Sequence, residues 1–399
     1  MVADKLKIMW LSDSPLSTTG FARISIEVLN GLAKKGWECT YVGHNLITQP
    51  IAKGLTFEDG CKHDFKILGT DGVDFGKNVI VDYINTEKPD VFGILLDTFM
   101  VAPWLPNYEF SPAHTVFYYP SDGGQPSKFG RLPLNCESVL KKMKNNVAMA
   151  KFGQKQVQEA HNLQTHYIPH AVDHKLIHPY TKKKRKAVRQ KYGLDDYFII
   201  GTVARNQPRK MLDKTIEMFS LIAPKYPNAR LFMHCDPTDV ASYFNMSELI
   251  ARYNLENRVI FTGTKYFKGL SWNSMNEIYN CMDVFLLTTT GEGFGVPLIE
   301  AMAAKVPVLA TNYTTTPEIV LDNNAGLAIE LSTEIMGSWN VYRAVPDVKD
   351  GAKKLSLLID NKQLRERLGN NGRAAVLKYY TWDVVIEQWH EYLTNLVKR

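Results

Sequence analysis

The sequence predicts an α/β protein of two tandem domains, each built on a mostly parallel sheet. Three observations predict it. Short apolar runs recur along the whole chain, separated by segments whose apolar residues repeat at helical spacing. That alternation pauses once, at the basic run Lys182-Lys183-Lys184-Arg185-Lys186 that follows Pro179, and then restarts. And a chain of 399 residues, 45% hydrophobic and 22% charged, exceeds what one core of roughly 250–300 residues holds.

The first half opens with Ile8-Met9-Trp10-Leu11, a buried strand. A small-residue loop from Ser12 to Gly20 follows. Phe21, Ile24, Val28, Leu29 and Leu32 then recur at helical spacing until Gly36 closes the helix, and Thr40-Tyr41-Val42 is the next strand. This is a βαβ opening. Val91 to Leu96 and Thr115 to Tyr119 read as central strands. Asn146 to Met149 is a shorter one, followed by a helix from Lys151 to Ala160 and the run His166-Tyr167-Ile168. After the basic run, strands are expected at 198–203, 230–233, 259–261, 284–287 and 306–309. The last helix starts after Thr381, an N-cap residue, and carries a wide apolar stripe of Trp382, Val385, Ile386, Trp389, Tyr392 and Leu393. Periodicity leaves open which domain that stripe packs on. The expected division is 1–178, 179–378 and the helix 379–399.

Composition narrows the function. Lys+Arg outnumber Asp+Glu by 47 to 41, a formal charge of +6. That suits an anionic ligand such as a phosphate and permits a nucleic-acid or anionic-membrane partner without demanding one. Cys39, Cys61, Cys136, Cys235 and Cys281 are scattered and form no C-x-x-C pair, which argues against a disulfide scaffold or zinc cluster and for a reducing compartment. Residues 1–10 are too short and too charged for a signal peptide, and no apolar window spans a bilayer. The location expected is cytoplasmic, with membrane contact at most peripheral.

The chemistry concentrates in Thr290-Gly291-Glu292-Gly293-Phe294-Gly295-Val296-Pro297-Leu298-Ile299-Glu300. Glycines at alternate positions open a loop with uncovered N–H groups, and Pro297 opens a helix whose positive end faces whatever the loop holds. Such an end accepts phosphate. Glu300 interrupts an apolar run, where a carboxylate is costly unless donors satisfy it. The cis-diol of a ribose would satisfy it; a first-turn carboxylate facing water is the plainer reading. Glu292 could take sugar hydroxyls. A second piece, Arg205-Asn206-Gln207-Pro208-Arg209-Lys210, follows a strand at the usual ligand crevice of an open α/β sheet. Arg205 and Lys210 could reach one diphosphate there, or form an ordinary solvated basic loop.

Glu292 and Glu300, seven residues apart in Gly-Glu-Gly-Phe-Gly-Val-Pro-Leu-Ile-Glu-Ala-Met-Ala, resemble the E-x7-E motif of the retaining GT-B glycosyltransferases of family 4, the glycosyl transferases group 1. Ile168 to Asp173, Arg205 with Lys210, Pro307 to Asn312, Pro317-Glu318 and Gly326 agree with that family in order and spacing. The resemblance implies two Rossmann-like domains facing across a cleft, with the last helix crossing back to the first. The donor would be a nucleoside-diphosphate sugar, UDP- or GDP-linked, and neither a metal nor a further cofactor would be needed. Glu300 would lie near the ribose. Glu292 and the backbone of Gly293, Phe294 and Gly295 would hold the sugar. Arg205, Lys210 and the helix end at Val296 would hold the diphosphate. The loop Thr18-Thr19-Gly20-Phe21 would lie near diphosphate and acceptor. The sequence departs from the family at Met211 and Ala171, where glycine is frequent, and after Tyr118-Tyr119-Pro120-Ser121, where Asp122 stands in place of a histidine; His114 and His170 are nearby.

Glycosyl transfer builds positive charge on the sugar and negative charge on the departing diphosphate, so the basic residues serve the leaving group. The diphosphate itself can take the proton of the attacking hydroxyl on the same face, which retains configuration. Glu292 and Glu300 are then ligand holders, unlike the opposed carboxylates of glycosidases. A sugar-nucleotide epimerase and a non-catalytic sugar-nucleotide-binding module are the rivals. The glycine spacing does not fit a dinucleotide fingerprint, and no P-loop occurs. The first domain has no decisive motif, which leaves a glycan or lipid-linked sugar, a small molecule, or a hydroxylated base in DNA as acceptor. Lys141, Lys142 and Lys144, with Lys182 to Lys186, would tolerate a membrane or DNA, although solvated helix faces and a charged linker explain them as well. Trp104, Tyr108, Phe110, Tyr118 and Tyr119 could stack on a ring or fill the core.

Overall fold

The computed structural model describes residues 5–17, 19–46, 63–70, 75–110, 113–124, 134–265, 269–338 and 341–399. Thr18, Cys61 and residues 1–4 lie outside the described residues, as does the side chain of Cys136. The chain divides into two compact units. The first comprises Met1–Ser121, Gln125–Ala171 and Trp382–Arg399; the second comprises Asp122–Gly124 and Val172–Thr381.

The first unit holds a parallel sheet of β1 (Lys7–Asp13), β2 (Glu38–His44), β3 (Lys66–Gly69), β4 (Val91–Leu95), β5 (His114–Tyr119), β6 (Asn145–Ala148) and β7 (His166–Tyr167), in the order β3-β2-β1-β4-β5-β6-β7. The order reverses beside β1, the doubly wound pattern expected when right-handed crossovers fill both faces. Trp10, Tyr41, Phe92, Phe117 and Tyr118 are fully buried on these strands. The helix Gly20–Lys34 is capped by Thr19, whose hydroxyl accepts from Ala22 N and donates to Asp13. The helix Trp382–Val397 completes this unit. Trp389 stands edge-on to Trp10 and Tyr118, with ring centroids 5.6 and 4.9 Å away, and Trp37 Nε1 donates to His390 at 3.1 Å. Trp104, Phe110, Tyr118 and Tyr119 are core residues at 3% exposure or less.

The second unit repeats the scheme with β8 (Phe198–Val203), β9 (Ala229–His234), β10 (Val259–Phe261), β11 (Val284–Leu287), β12 (Val308–Thr311) and β13 (Gly326–Ile329), all parallel, in the order β10-β9-β8-β11-β12-β13. An antiparallel hairpin of β14 (Leu331–Met336) and β15 (Tyr342–Pro346) follows. Periodicity does not mark this hairpin, because β14 is exposed along most of its length and has no apolar run. Two expectations shift. The second unit begins at Val172 rather than at residue 179, and it takes Asp122–Gly124 from the first half. The run Lys182 to Lys186 is no linker but the start of a helix, Lys182–Lys191. Thr181 caps it by accepting from Lys184 N. Arg185 and Arg189 anchor it to Asp283 at 2.8 and 3.3 Å, and Arg185 also donates to the carbonyls of Asn280 and Met282. Lysine and arginine are good helix formers, and the helix also places Arg185, half-exposed, and Arg189, buried, on Asp283. The Lys141 and Lys142 ammoniums of the first unit pair with Glu137 and Glu109.

Candidate active site

The candidate groups of the second unit gather at the carboxyl ends of β8, β11 and β12, three neighbouring strands. Leaving β8, the chain runs through Arg205 and Asn206 into a single helical turn, Pro208–Lys210. Met211 ends that turn at φ +44°, a left-handed conformation that a glycine takes freely and a methionine only at a cost of about 1 kcal/mol. This is the position where the resembling family often has glycine. The turn is stitched to the segment after β11: Thr290 N donates to Arg209 O at 2.7 Å, and the Thr288 hydroxyl lies 2.8 Å from Met211 O.

That stitching places two cations on Glu292. Lys210 Nζ donates to Glu292 Oε1, and Arg209 Nη1 lies 3.3 Å from Oε2. Lys210 and Glu292 are buried, at 6% and 5% exposure, so each needs its partner. Burial by itself would raise the Glu292 carboxyl, but Lys210 and Arg209 outweigh it and hold the group down at about 2. Burial, with the neighbouring Arg209 charge, brings Lys210 down to about 8. Arg209 carries no signal in the sequence beyond its place next to Lys210.

The turn itself is fixed by contact. A Cβ on Gly291 would come within 2.0 Å of Asp122 O, so only glycine fits. Glu292 N donates to Thr314 Oγ1 at 3.0 Å, and Thr314 has φ +49°. A β-branched residue there is a true outlier, of the kind that clusters at functional sites. Gly295, at φ +94°, caps the helix Val296–Ala303, with Pro297 in its first turn. Phe294 is buried, edge-on to Tyr380. Glu300 does not face water: it is 3% exposed and accepts from the Tyr279 hydroxyl at 2.6 Å. Tyr279 had no role in the sequence reading.

Arg205 is held apart from this cluster's ion pairs. Its Nε and Nη2 lie 2.8 and 3.3 Å from the two oxygens of Asp239, and this guanidinium holds Asp239 below the usual carboxylate range. Asp122 pairs with Arg343 at 3.0 Å. Asp239 and Arg343 were both missed, since each partner is remote in sequence. The side-chain polar atoms of Thr202, Asn206, Thr290, Thr311 and Thr315 are buried and have no hydrogen-bond partner among the described residues. A concentration of such atoms at one sheet edge suits a polar ligand better than an apolar one.

Gly20 and Phe21 lie in the first unit, at the start of the helix Gly20–Lys34, with no side chain crowding Gly20. His170 is buried, with Nδ1 2.8 Å from the Tyr118 hydroxyl, and burial pushes it down to about 3. It is a neutral core residue. His114 opens β5.

Residues 184–375 match the family described as glycosyl transferases group 1. Over 205 residues the chain is 28% identical to the capsular polysaccharide biosynthesis glycosyltransferase CapM of Staphylococcus aureus, a stretch that covers 51% of this chain and 48% of CapM. The chain spans about half the length or less of the curated relatives it matches. Sucrose-phosphate synthase from Thermosynechococcus elongatus superposes with a TM-score of 0.76 at 16% identity, over 98% of this chain and 99% of that one. Anabaena HepE in complex with UDP-glucose superposes with a TM-score of 0.74 at 16% identity, over 98% and 100%. These two similarities carry the fold, two Rossmann-like units of the GT-B class. No helix among the described residues is long and apolar enough to cross a membrane. The stretch that matches the glycosyl transferases group 1 model lies wholly within the second unit.

Proposed function

We propose that this chain is a retaining, metal-independent glycosyltransferase that moves a sugar from a nucleoside-diphosphate sugar to an acceptor hydroxyl. The observation that carries the reading is the buried Lys210–Glu292 pair, flanked by the half-exposed Arg209, at the carboxyl edge of the second sheet, inside the stretch that matches the family. Glu292 is too strongly ionised to act as a general acid near neutral pH. It orients Lys210 and accepts from sugar hydroxyls. Arg205, Lys210 and the helix end at Gly295–Val296 meet the charge that develops on the diphosphate. Glu300, fixed by Tyr279, takes the ribose. With the diphosphate as proton acceptor on the face it leaves, configuration is retained. Gly20 and Phe21 bind the donor near its diphosphate, and Asp122, standing where the family often has a histidine, belongs to the catalytic set beside Glu292, Arg205 and Lys210.

HepE was solved with UDP-glucose, which makes a UDP-linked donor the first to try, with a GDP-linked one second. No other cofactor is needed. The acceptor is a glycan, a lipid-linked sugar or a small molecule. We place the protein in the cytoplasm, where its buried cysteines Cys39, Cys235 and Cys281 stay reduced. Incubation with a panel of UDP- and GDP-sugars tests the reading: slow release of nucleoside diphosphate is expected, falling by about 10²–10³ in Glu292→Ala at saturating donor. An isomerised sugar, or binding with no turnover, overturns it, and so does full turnover in Glu292→Ala.

A further inference from the structure

Three consecutive residues of β15 each hold a part of the candidate site, all within the second unit. Tyr342 N donates to Gly124 O at 2.8 Å, and its own carbonyl accepts from the Tyr313 hydroxyl at 2.9 Å. The Tyr313 hydroxyl in turn accepts from Gly124 N at 3.2 Å. Arg343 spans Asp122: Nη2 lies 3.0 Å from the carboxylate and Nη1 donates to the carbonyl of the same residue. Ala344 N donates to Thr290 O at 3.1 Å. One strand therefore grips both the segment Asp122–Gly124 and the start of the glycine turn. The fit is flush. A Cβ on Gly123 would meet Val341 Cγ1 at 2.2 Å and Tyr342 O at 2.8 Å, and one on Gly291 would strike Asp122 O.

We propose that Arg343 is a positioning residue, one that fixes Asp122 by both its carboxylate and its carbonyl and so seats the segment Asp122–Gly124 against the turn that carries Glu292. The role suits arginine. A planar fork can engage two acceptors of one residue at once, whereas an ammonium is a point charge. The side chain of Arg343 is 17% exposed, so the pair is only partly screened. Asp122 also lies near enough to Lys210 to favour its charged form. Two carboxylates, Asp122 and Glu292, thus share three cations, Arg343, Arg209 and Lys210. The consequence for catalysis rests on the glycosyltransferase reading above; the positioning contact does not.

Hydrogen exchange of the full-length protein, read at the amides of Gly124, Tyr342 and Ala344, tests the contact without any ligand. Arg343→Met should raise exchange there at least tenfold while β8 and β9 keep wild-type protection, and Arg343→Lys should fall between. Unchanged exchange at these amides in Arg343→Met overturns the proposal, as does equal loss of protection across β8 and β9. Turnover of UDP-glucose is the second readout. A fall in kcat with little change in KM, partly rescued by Arg343→Lys, is expected. Raised exchange with unaltered turnover would leave the positioning contact standing and remove Asp122 from the catalytic set, so the two readings fail separately.

Discussion

The two units share a sheet plan and differ at its carboxyl edge. In the first, the buried polar groups there are uncharged: the Tyr41 hydroxyl donates to Asp13 O at 2.6 Å, the Ser12 hydroxyl to Leu95 O at 2.8 Å, Tyr118 meets a neutral His170, and the buried Thr70 and Ser121 hydroxyls have no partner among the described residues. In the second, the charged groups Glu292, Lys210 and Glu300 are buried at the same edge. Buried charges are costly unless paired. The second edge therefore keeps its buried charges only by pairing them, Glu292 with Lys210 and Arg209, a requirement that the first edge does not have.

The comparison can be sharpened from both sides. The largest effect is expected in the first unit. Trp389→Ala removes a fully buried ring set against Trp10 and Tyr118 and should destabilise that unit by about 3–5 kcal/mol. Denaturant unfolding followed by tryptophan fluorescence measures it, and a loss below about 1 kcal/mol would deny the helix its place in the core. A smaller effect is expected from pH in the second unit. Lys210, down at about 8, carries its charge below that pH and loses it above. The donor kcat/KM should then fall about tenfold per unit on the alkaline side, roughly 1.4 kcal/mol each; a flat profile to pH 10 would break the assignment. The smallest effect returns to the first unit. Lys141→Ala and Lys142→Ala each remove an ion pair whose partners are partly or largely exposed. Each should leave the unfolding midpoint within the error of measurement, and neither should change sedimentation with anionic vesicles. A strong loss of vesicle binding would make this patch a membrane contact after all.

What the sequence made legible follows the range of its signals. Buried strands such as Phe198–Val203, Val259–Phe261 and Val284–Leu287 stand where continuous apolar runs put them. Glu292, Lys210 and Glu300 could be picked out because glycines and an interrupted apolar run mark them locally. The rest depended on partners far away in the chain. Nothing near Asp122 announces Arg343, and nothing near Glu300 announces Tyr279. Exposed β14 lacks the apolar alternation that marks a strand, and the anchoring roles of Arg185 and Arg189 are hidden among neighbouring lysines.

The helix Trp382–Val397 sets an order of events during synthesis. Domains generally fold as units while the chain emerges, yet Trp10 and Tyr118 meet Trp389 only after all of Val172–Thr381 has been made. The earliest strands therefore keep an aromatic face uncovered until Trp389 itself has been made. The second unit, made from a nearly continuous stretch, can fold ahead of the one that precedes it.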